Sequence, residues 1–249
     1  MAYAVITREA DAAAPYIAAL APLGLEGIPL SVTRTAPARD PEELVRAVER
    51  GGYAAVVVAS ARAAAALAAI PGARRGAVLP EVWAVGPATA RALAAAGIPA
   101  RVPPVARDAA AVARALLAER ALAGQRVLVP RAEDGREEAI ELLRQAGAFV
   151  DAIVAYRTVP APADDPDLAH GLGLLRRGEV AVCAVFAPSQ VAALDALVGV
   201  RRITARFSAI GETTAAALRD AGAGFVAVAG APTPEGLAKA VSAVYPRRS

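Results

Sequence analysis

Hydrophobic and polar positions along this chain alternate between two regimes. Short apolar, β-branched runs bounded by Gly, Pro and charged residues predict strands at 2–7, 25–32, 53–58, 82–85, 126–129, 150–159, 180–185, 207–210 and 224–227. Ala- and Leu-rich segments between them predict helices at 12–20, 62–70, 89–96, 108–120, 136–146, 189–198, 214–221 and 235–244. A further helix is expected from Pro41, with Asp40 as its N-cap and Glu42 and Glu43 in its first turn. Runs such as 53–58 are apolar at successive positions, as in a strand covered on both faces. Strand–helix alternation throughout implies an α/β protein whose parallel sheets are flanked by helices.

The alternation is duplicated. Ala4-Val5-Ile6-Thr7-Arg8 is similar to Val127-Leu128-Val129-Pro130-Arg131, and the same spacing relates Gly24 to Gly147 and Thr35 to Thr158. Val85-Gly86-Pro87-Ala88-Thr89 is likewise similar to Ile210-Gly211-Glu212-Thr213-Thr214. Two similar lobes follow, either sequential, with a break near 123, or interleaved through the extended segments at 33–38 and 157–164. The pattern alone admits both. Parallel strands gather their strand-to-helix loops on one edge, so facing lobes would enclose a cleft.

Composition changes this picture mainly by exclusion. Among 249 residues there is one histidine, His170, and one cysteine, Cys183. They cannot assemble a multi-ligand zinc site, and a disulfide within the chain is impossible. No clustered acidic loop offers an all-oxygen metal site, so no metal is expected. His170 reads as a surface residue in a helix, Cys183 as a small buried strand residue and Trp83 as packing. Alanine fills more than a quarter of the chain and Lys239 is the sole lysine, which GC-rich codon usage explains without reference to function. A net charge of +3 gives no argument for nucleic acid. The N-terminal stretch is interrupted by Arg8, Glu9 and Asp11, and no uncharged stretch reaches a bilayer span, so a cytoplasmic protein without membrane contact is expected.

The remaining chemistry lies in strand-to-helix loops. These are Thr7-Arg8, Ala59-Ser60-Ala61-Arg62, Gly86-Pro87-Ala88-Thr89, the loop from Arg131 to Gly135, Ala187-Pro188-Ser189-Gln190 and Gly211-Glu212-Thr213-Thr214. Helix N-terminal amides and arginine forks both favour anions. The plain reading of any one Ser or Thr there is a helix cap. No GxGxxG or GxxxxGK[ST] pattern accompanies Gly86 or Gly211, so a nucleotide-phosphate loop is not supported. The candidate anion-binding residues are Thr7, Arg8, Ser60, Arg62, Gly86, Thr89, Arg131, Ser189, Gly211, Thr213 and Thr214. Tyr156, in the extended Val154-Ala155-Tyr156-Arg157-Thr158 segment, is either a half-buried strand tyrosine or a proton donor to a leaving group.

Taken in order, these motifs resemble the uroporphyrinogen-III synthase family. The resemblance rests on Val5-Ile6-Thr7-Arg8, Gly86-Pro87-Ala88-Thr89, Arg126 to Arg131, Ala155-Tyr156-Arg157-Thr158-Val159-Pro160, Gly211-Glu212-Thr213-Thr214 and Pro232-Thr233-Pro234-Glu235-Gly236-Leu237. It implies two α/β lobes joined by a two-stranded β-ladder, with the active-site cleft between them. One lobe would comprise 1–33 and 160–249 and the other 38–154, with connectors near 33–38 and 154–160. It also implies a monomeric, cofactor-free enzyme that cyclises hydroxymethylbilane, a polyanionic linear tetrapyrrole, to uroporphyrinogen III with inversion of ring D. Tyr156 would then assist departure of the hydroxyl, with substrate handed over from hydroxymethylbilane synthase. Family members often carry Thr-Ser-Pro where this chain has Ala59-Ser60-Ala61 and Ala187-Pro188-Ser189, so hydroxyls expected there are missing. The alternative from another class is a non-catalytic bilobal sensor of an anion.

Overall fold

A parallel strand can rejoin its sheet only through a crossover, and the chain supplies a helix for nearly every return. The computed structural model describes residues 2–74, 79–104 and 106–245. The chain opens with β1 (Ala2–Ile6), α1 (Ala10–Leu20), β2 (Leu25–Pro29) and β3 (Thr33–Pro37). It continues through α2 (Glu42–Arg50), β4 (Ala55–Val58), α3 (Ala61–Ala68), β5 (Glu81–Ala84), α4 (Pro87–Ala94) and β6 (Ala100–Arg101). Then come α5 (Ala109–Glu119), β7 (Arg126–Ala132), α6 (Glu138–Gln145) and the long β8 (Phe149–Pro160). The last third holds α7 (Pro166–Arg177), β9 (Val180–Val185), α8 (Pro188–Val198), β10 (Arg206–Ala209), α9 (Glu212–Asp220), β11 (Val226–Val228) and α10 (Pro234–Val244). Each strand expected from the apolar runs is present, and the class is α/β with parallel sheets flanked by helices.

The chain divides into two units, one made of Met1–Arg34 with Val159–Ser249 and the other of Thr35–Thr158. The first is built on a sheet of order β11-β10-β9-β1-β2, parallel at every pairing. Its strands alternate sides: Val5, Cys183, Val185 and Phe207 face α7, α8 and α9, while Ala4, Ile6, Val182 and Ala184 face α1 and α10. The second unit is built on a sheet of order β3-β8-β7-β4-β5-β6, with parallel pairing from β8 through β6 and β3 at the edge beside β8. There Val56, Val58 and Leu128 face α2, α3 and α4, while Val57, Val127 and Val129 face α5 and α6. Cover on both faces is why these strands are apolar at consecutive positions.

Local chemistry sets the ends of the elements. Gly24 and Gly147, equivalent in the repeat, follow α1 and α6 with φ of 75° and 82°, a left-handed conformation that glycine adopts without penalty. Asp108, Asp165 and Thr233 cap α5, α7 and α10 by accepting from backbone N–H groups at 2.8, 3.0 and 3.1 Å. Asp40 departs from expectation. It lies one residue before Pro41, which holds the N-cap position of α2, and its carboxylate takes a 2.6 Å bond from Arg46. That bond, together with the nearby amides of Glu43 and Glu42, holds the Asp40 carboxyl below the usual carboxylate range.

Beyond placing His170 in a helix, the apolar pattern gives α7 no bounds, because Gly171 and Gly173 dilute its helical signal. Its leucines still repeat at helical spacing and bury Leu168, Leu172 and Leu175. Gly171 is needed for close approach: a Cβ there would lie 2.8 Å from Cδ1 of the fully buried Leu30. The two-residue β6 is too short to read from periodicity. No helix among the described residues is long and apolar enough to cross a membrane.

Candidate functional site

In an open parallel sheet, the loops that matter leave the carboxyl ends of strands where the winding direction reverses. In the first unit that point lies between β1 and β9, since β1 leads to β2 on one side and β9 to β10 on the other. Thr7 leaves β1 here and is buried. Its N–H donates to Ala184 O at 3.0 Å. Its hydroxyl lies 3.1 Å from Ala184 O and 2.7 Å from Gln190 Oε1, one proton serving both acceptors. Gln190 Oε1 also accepts from Phe186 N–H at 2.9 Å. Thr7 thus spends its side chain on joining the exits of β1 and β9. Gln190, in a loop noted for its polar residues but not assigned a role, is the partner that makes the joint.

Arg8 comes next on the chain and sits on aromatic faces. Its guanidinium carbon is 4.7 Å from the Phe186 ring centre and 5.4 Å from that of Tyr16, and these two rings meet edge to face. Arg8 lines a cavity of 420 Å³ with Ser31, Arg34 and Asp167 among its walls. Arg34 is engaged elsewhere, donating to Asp165 at 2.7 Å and to the Ser31 and Thr33 carbonyls. On the same edge α8 and α9 start after Ala187 and Gly211, and neither N-cap residue closes a side chain over the first-turn amides. Ser189 and Thr213 are exposed in those first turns, whereas Thr214 is buried.

The second unit reverses between β4 and β7. Ser60, at the exit of β4, caps α3 by accepting from Ala63 N–H at 3.1 Å. The same hydroxyl oxygen lies 3.2 Å from Tyr156 Oη on β8. Tyr156 reaches it because the β7–β8 register slips: Arg131 pairs with Val154, but Ala132 pairs with Tyr156. Strand side chains alternate faces, so the extra residue lets Tyr156 follow Ala155 onto the face packed by α2, α3 and α4. An apolar groove of 560 Å³ adjoins the ring, walled by Leu44, Val45, Ala66 and Ile70, with exposed Arg62 also on its lining.

The other expected residues behave differently. Gly86 begins α4 without a side-chain cap, and Thr89, in the first turn, is buried. Of the Ser and Thr residues among the candidates, Ser60 caps its helix through the side chain, while at α4, α8 and α9 the N-cap position carries Gly or Ala. Arg131 is folded back on its own loop, paired with Glu137 and donating to the Gly135 and Glu133 carbonyls. Its charge organises the turn after β7. His170 is exposed on α7. Cys183 is fully buried, and burial pushes its thiol up to about 12, so at neutral pH it is a packed apolar residue.

The chain as a whole is similar to known proteins. The family model described as Uroporphyrinogen-III synthase HemD matches residues 14–239. No curated protein sequence matches the chain. Among solved structures, the uroporphyrinogen-III synthetase of Helicobacter pylori 26695 is similar with a TM-score of 0.62 at 16% identity, over 98% of this chain and 100% of that one. That likeness concerns the fold. A Thermus thermophilus uroporphyrinogen III synthase shares 19% identity over 98% and 99% of the two chains, with a TM-score of 0.44. A mutant form of uroporphyrinogen III synthase from the same thermophilic species shares 21% over 91% and 92%, with a TM-score of 0.49. The family match runs from within α1 to within α10, and the chain belongs to the uroporphyrinogen-III synthase family, enzymes of tetrapyrrole synthesis.

Proposed function

We propose that this chain cyclises hydroxymethylbilane to uroporphyrinogen III with inversion of ring D and release of water, acting as a lyase. The observation that carries the reading is the family match over 14–239. Tyr156 supports it, as a half-buried phenol beside an apolar groove at the carboxyl edge of its sheet.

The reaction begins when the terminal hydroxyl leaves as water. The phenol Oη–H of Tyr156 donates the proton that makes water the leaving group, and the C–O bond breaks to an azafulvene cation. Attack forms a spiro intermediate, which fragments and re-closes with ring D turned over. The ring position that re-closes gives up one proton, which returns Tyr156 to its starting state. Closure without inversion needs no protein, so the enzyme's task is to hold ring D in the conformer leading to the spiro compound.

The substrate's carboxylates require fixed donors. Arg8, held on Phe186 and Tyr16, offers a planar fork. The first turns of α4, α8 and α9, which open on Gly86, Ala187 and Gly211, offer backbone amides. Exposed Arg62, Ser189 and Thr213 stand nearby on their respective edges.

Purified protein given freshly prepared hydroxymethylbilane and no additive will yield mainly the type III isomer. Type I alone, at the rate of a protein-free control, would overturn the reading.

A further inference from the structure

The Ser60 hydroxyl occupies a constrained position. A hydroxyl has one proton and two lone pairs, and Ala63 N–H takes one of those lone pairs at 3.1 Å. The Ser60 oxygen therefore sits at a fixed point on the first turn of α3, with its proton and one lone pair still to place. Tyr156 Oη lies 3.2 Å away. Around the ring the walls are mainly apolar, from Leu44, Val45, Ala66 and Ile70, and the Ser60 hydroxyl lies within hydrogen-bond distance of the phenol oxygen. The register slip between β7 and β8 brings the phenol to this point, two strands away from β4 in the sheet.

We infer that Ser60 is the positioning residue for Tyr156 in the reaction proposed above, rather than a direct substrate ligand. With Ser60 donating to Oη, the phenol's own proton points away from α3 and is available to the leaving hydroxyl. As that proton transfers, the C–O bond breaks and water departs. The negative charge then gathers on Oη, where the Ser60 hydrogen bond becomes charge-assisted and strengthens. The positive end of α3 lies directly behind Ser60 and adds to the effect. A bond that strengthens as charge develops lowers the barrier without tightening substrate binding, so its loss acts on kcat and leaves KM alone. Tyr156 recovers its proton from the ring position that re-closes.

Ser60 also caps α3, so the test must separate the two roles. Glycine is nearly as good an N-cap as serine but has no hydroxyl, whereas threonine keeps both. Steady-state kinetics and the isomer ratio are measured for wild type, Ser60→Gly, Ser60→Thr, Tyr156→Phe and the Ser60→Gly/Tyr156→Phe double variant, with thermal melts as a folding control. Ser60→Gly is expected to lower kcat about tenfold, the loss of one hydrogen bond to a charged group, with KM unchanged. Ser60→Thr restores most of it, and Ser60→Gly adds nothing in the Tyr156→Phe background. Wild-type kcat in Ser60→Gly, an equal further loss in the double variant, or a rise confined to KM would each overturn the inference while the family reaction stood. A wild type that makes only the type I isomer would overturn the proposed function itself, and this inference with it.

Discussion

Thr7 and Gln190, 183 residues apart in the chain, share a 2.7 Å hydrogen bond at the carboxyl edge of the first unit's sheet. The bond ties the exit of β1 to the first turn of α8. Phe186 N–H ends on the same Gln190 oxygen. Ser60 and Tyr156 form the corresponding contact in the second unit. In each unit, then, a side-chain hydrogen bond ties the exit of a strand at the winding reversal to a residue far along the chain.

Replacing Gln190 with leucine keeps the volume and removes the acceptor. The Thr7 hydroxyl retains Ala184 O, but Phe186 N–H loses its side-chain partner, so we expect a stability loss of about 1–3 kcal/mol. Urea unfolding monitored by circular dichroism reads the change. A midpoint equal to that of wild type would show that the joint does not stabilise the unit.

Tyr156→Phe keeps the ring and its packing while deleting the proton. Turnover should fall by about 100-fold, the low end for a general acid, because holding ring D remains intact. The melting curve should stay at the wild-type position. Unchanged turnover would remove Tyr156 from the reaction.

Arg8→Met retains a long side chain over Phe186 and Tyr16 but not the charge. We expect KM for hydroxymethylbilane to rise about tenfold with little change in kcat, because a carboxylate contact is present in ground and transition states alike. Added salt should raise the wild-type KM more than that of the variant. Equal salt responses would mean that Arg8 does not meet the substrate.

Away from this edge, Asp151 accepts from Tyr53 Oη–H at 2.6 Å, Arg126 at 2.5 Å and Arg50 at 2.9 Å. Burial pushes its carboxyl up, but the Tyr53 and Arg126 hydrogen bonds and the neighbouring charges outweigh burial and hold it below its ordinary value. A depressed folded-state value stabilises the protein at pH above the unfolded value of about 4 and loses that contribution as pH falls through the folded value. Asp151→Asn should therefore cost about 1–3 kcal/mol at neutral pH, and the gap to wild type should shrink in acid. Burial, followed by the Asp151 bond, raises Tyr53, so this neutral phenol stabilises the folded state fully below the unfolded value of about 10, and the contribution is lost as pH rises through the higher folded value. Unfolding free energies from acid to alkaline pH test both signs, and a gap that stayed constant below pH ~4 would refute the acid one.

Much of the fold was legible in the sequence because its physical cause is local. A run such as Val56-Val57-Val58 is buried on both faces, and that alone makes it apolar without alternation. Gly24 and Gly147 stop helices by their own backbone freedom. Less legible were elements whose signal is diluted, such as α7 with Gly171 inside it, where the cause is a neighbour, Leu30, from far along the chain. Gln190 illustrates the same limit at the site. Its polarity was visible, but the significance of its oxygen depends on Thr7 and Phe186.

By itself, the sequence determined the α/β class, the duplicated unit, the set of loops holding polar groups and the ordered motifs of the family. The class and the loops follow from periodicity and short-range backbone preference, whereas the family rests on the resemblance of its ordered motifs. Tertiary structure alone decided that β1 lies beside β9, that Arg131 turns back to Glu137, and that a one-residue slip brings Tyr156 to Ser60. Side-chain direction reverses with each residue of a strand, so register decides which groups meet, and register is set by long-range packing that no local pattern records.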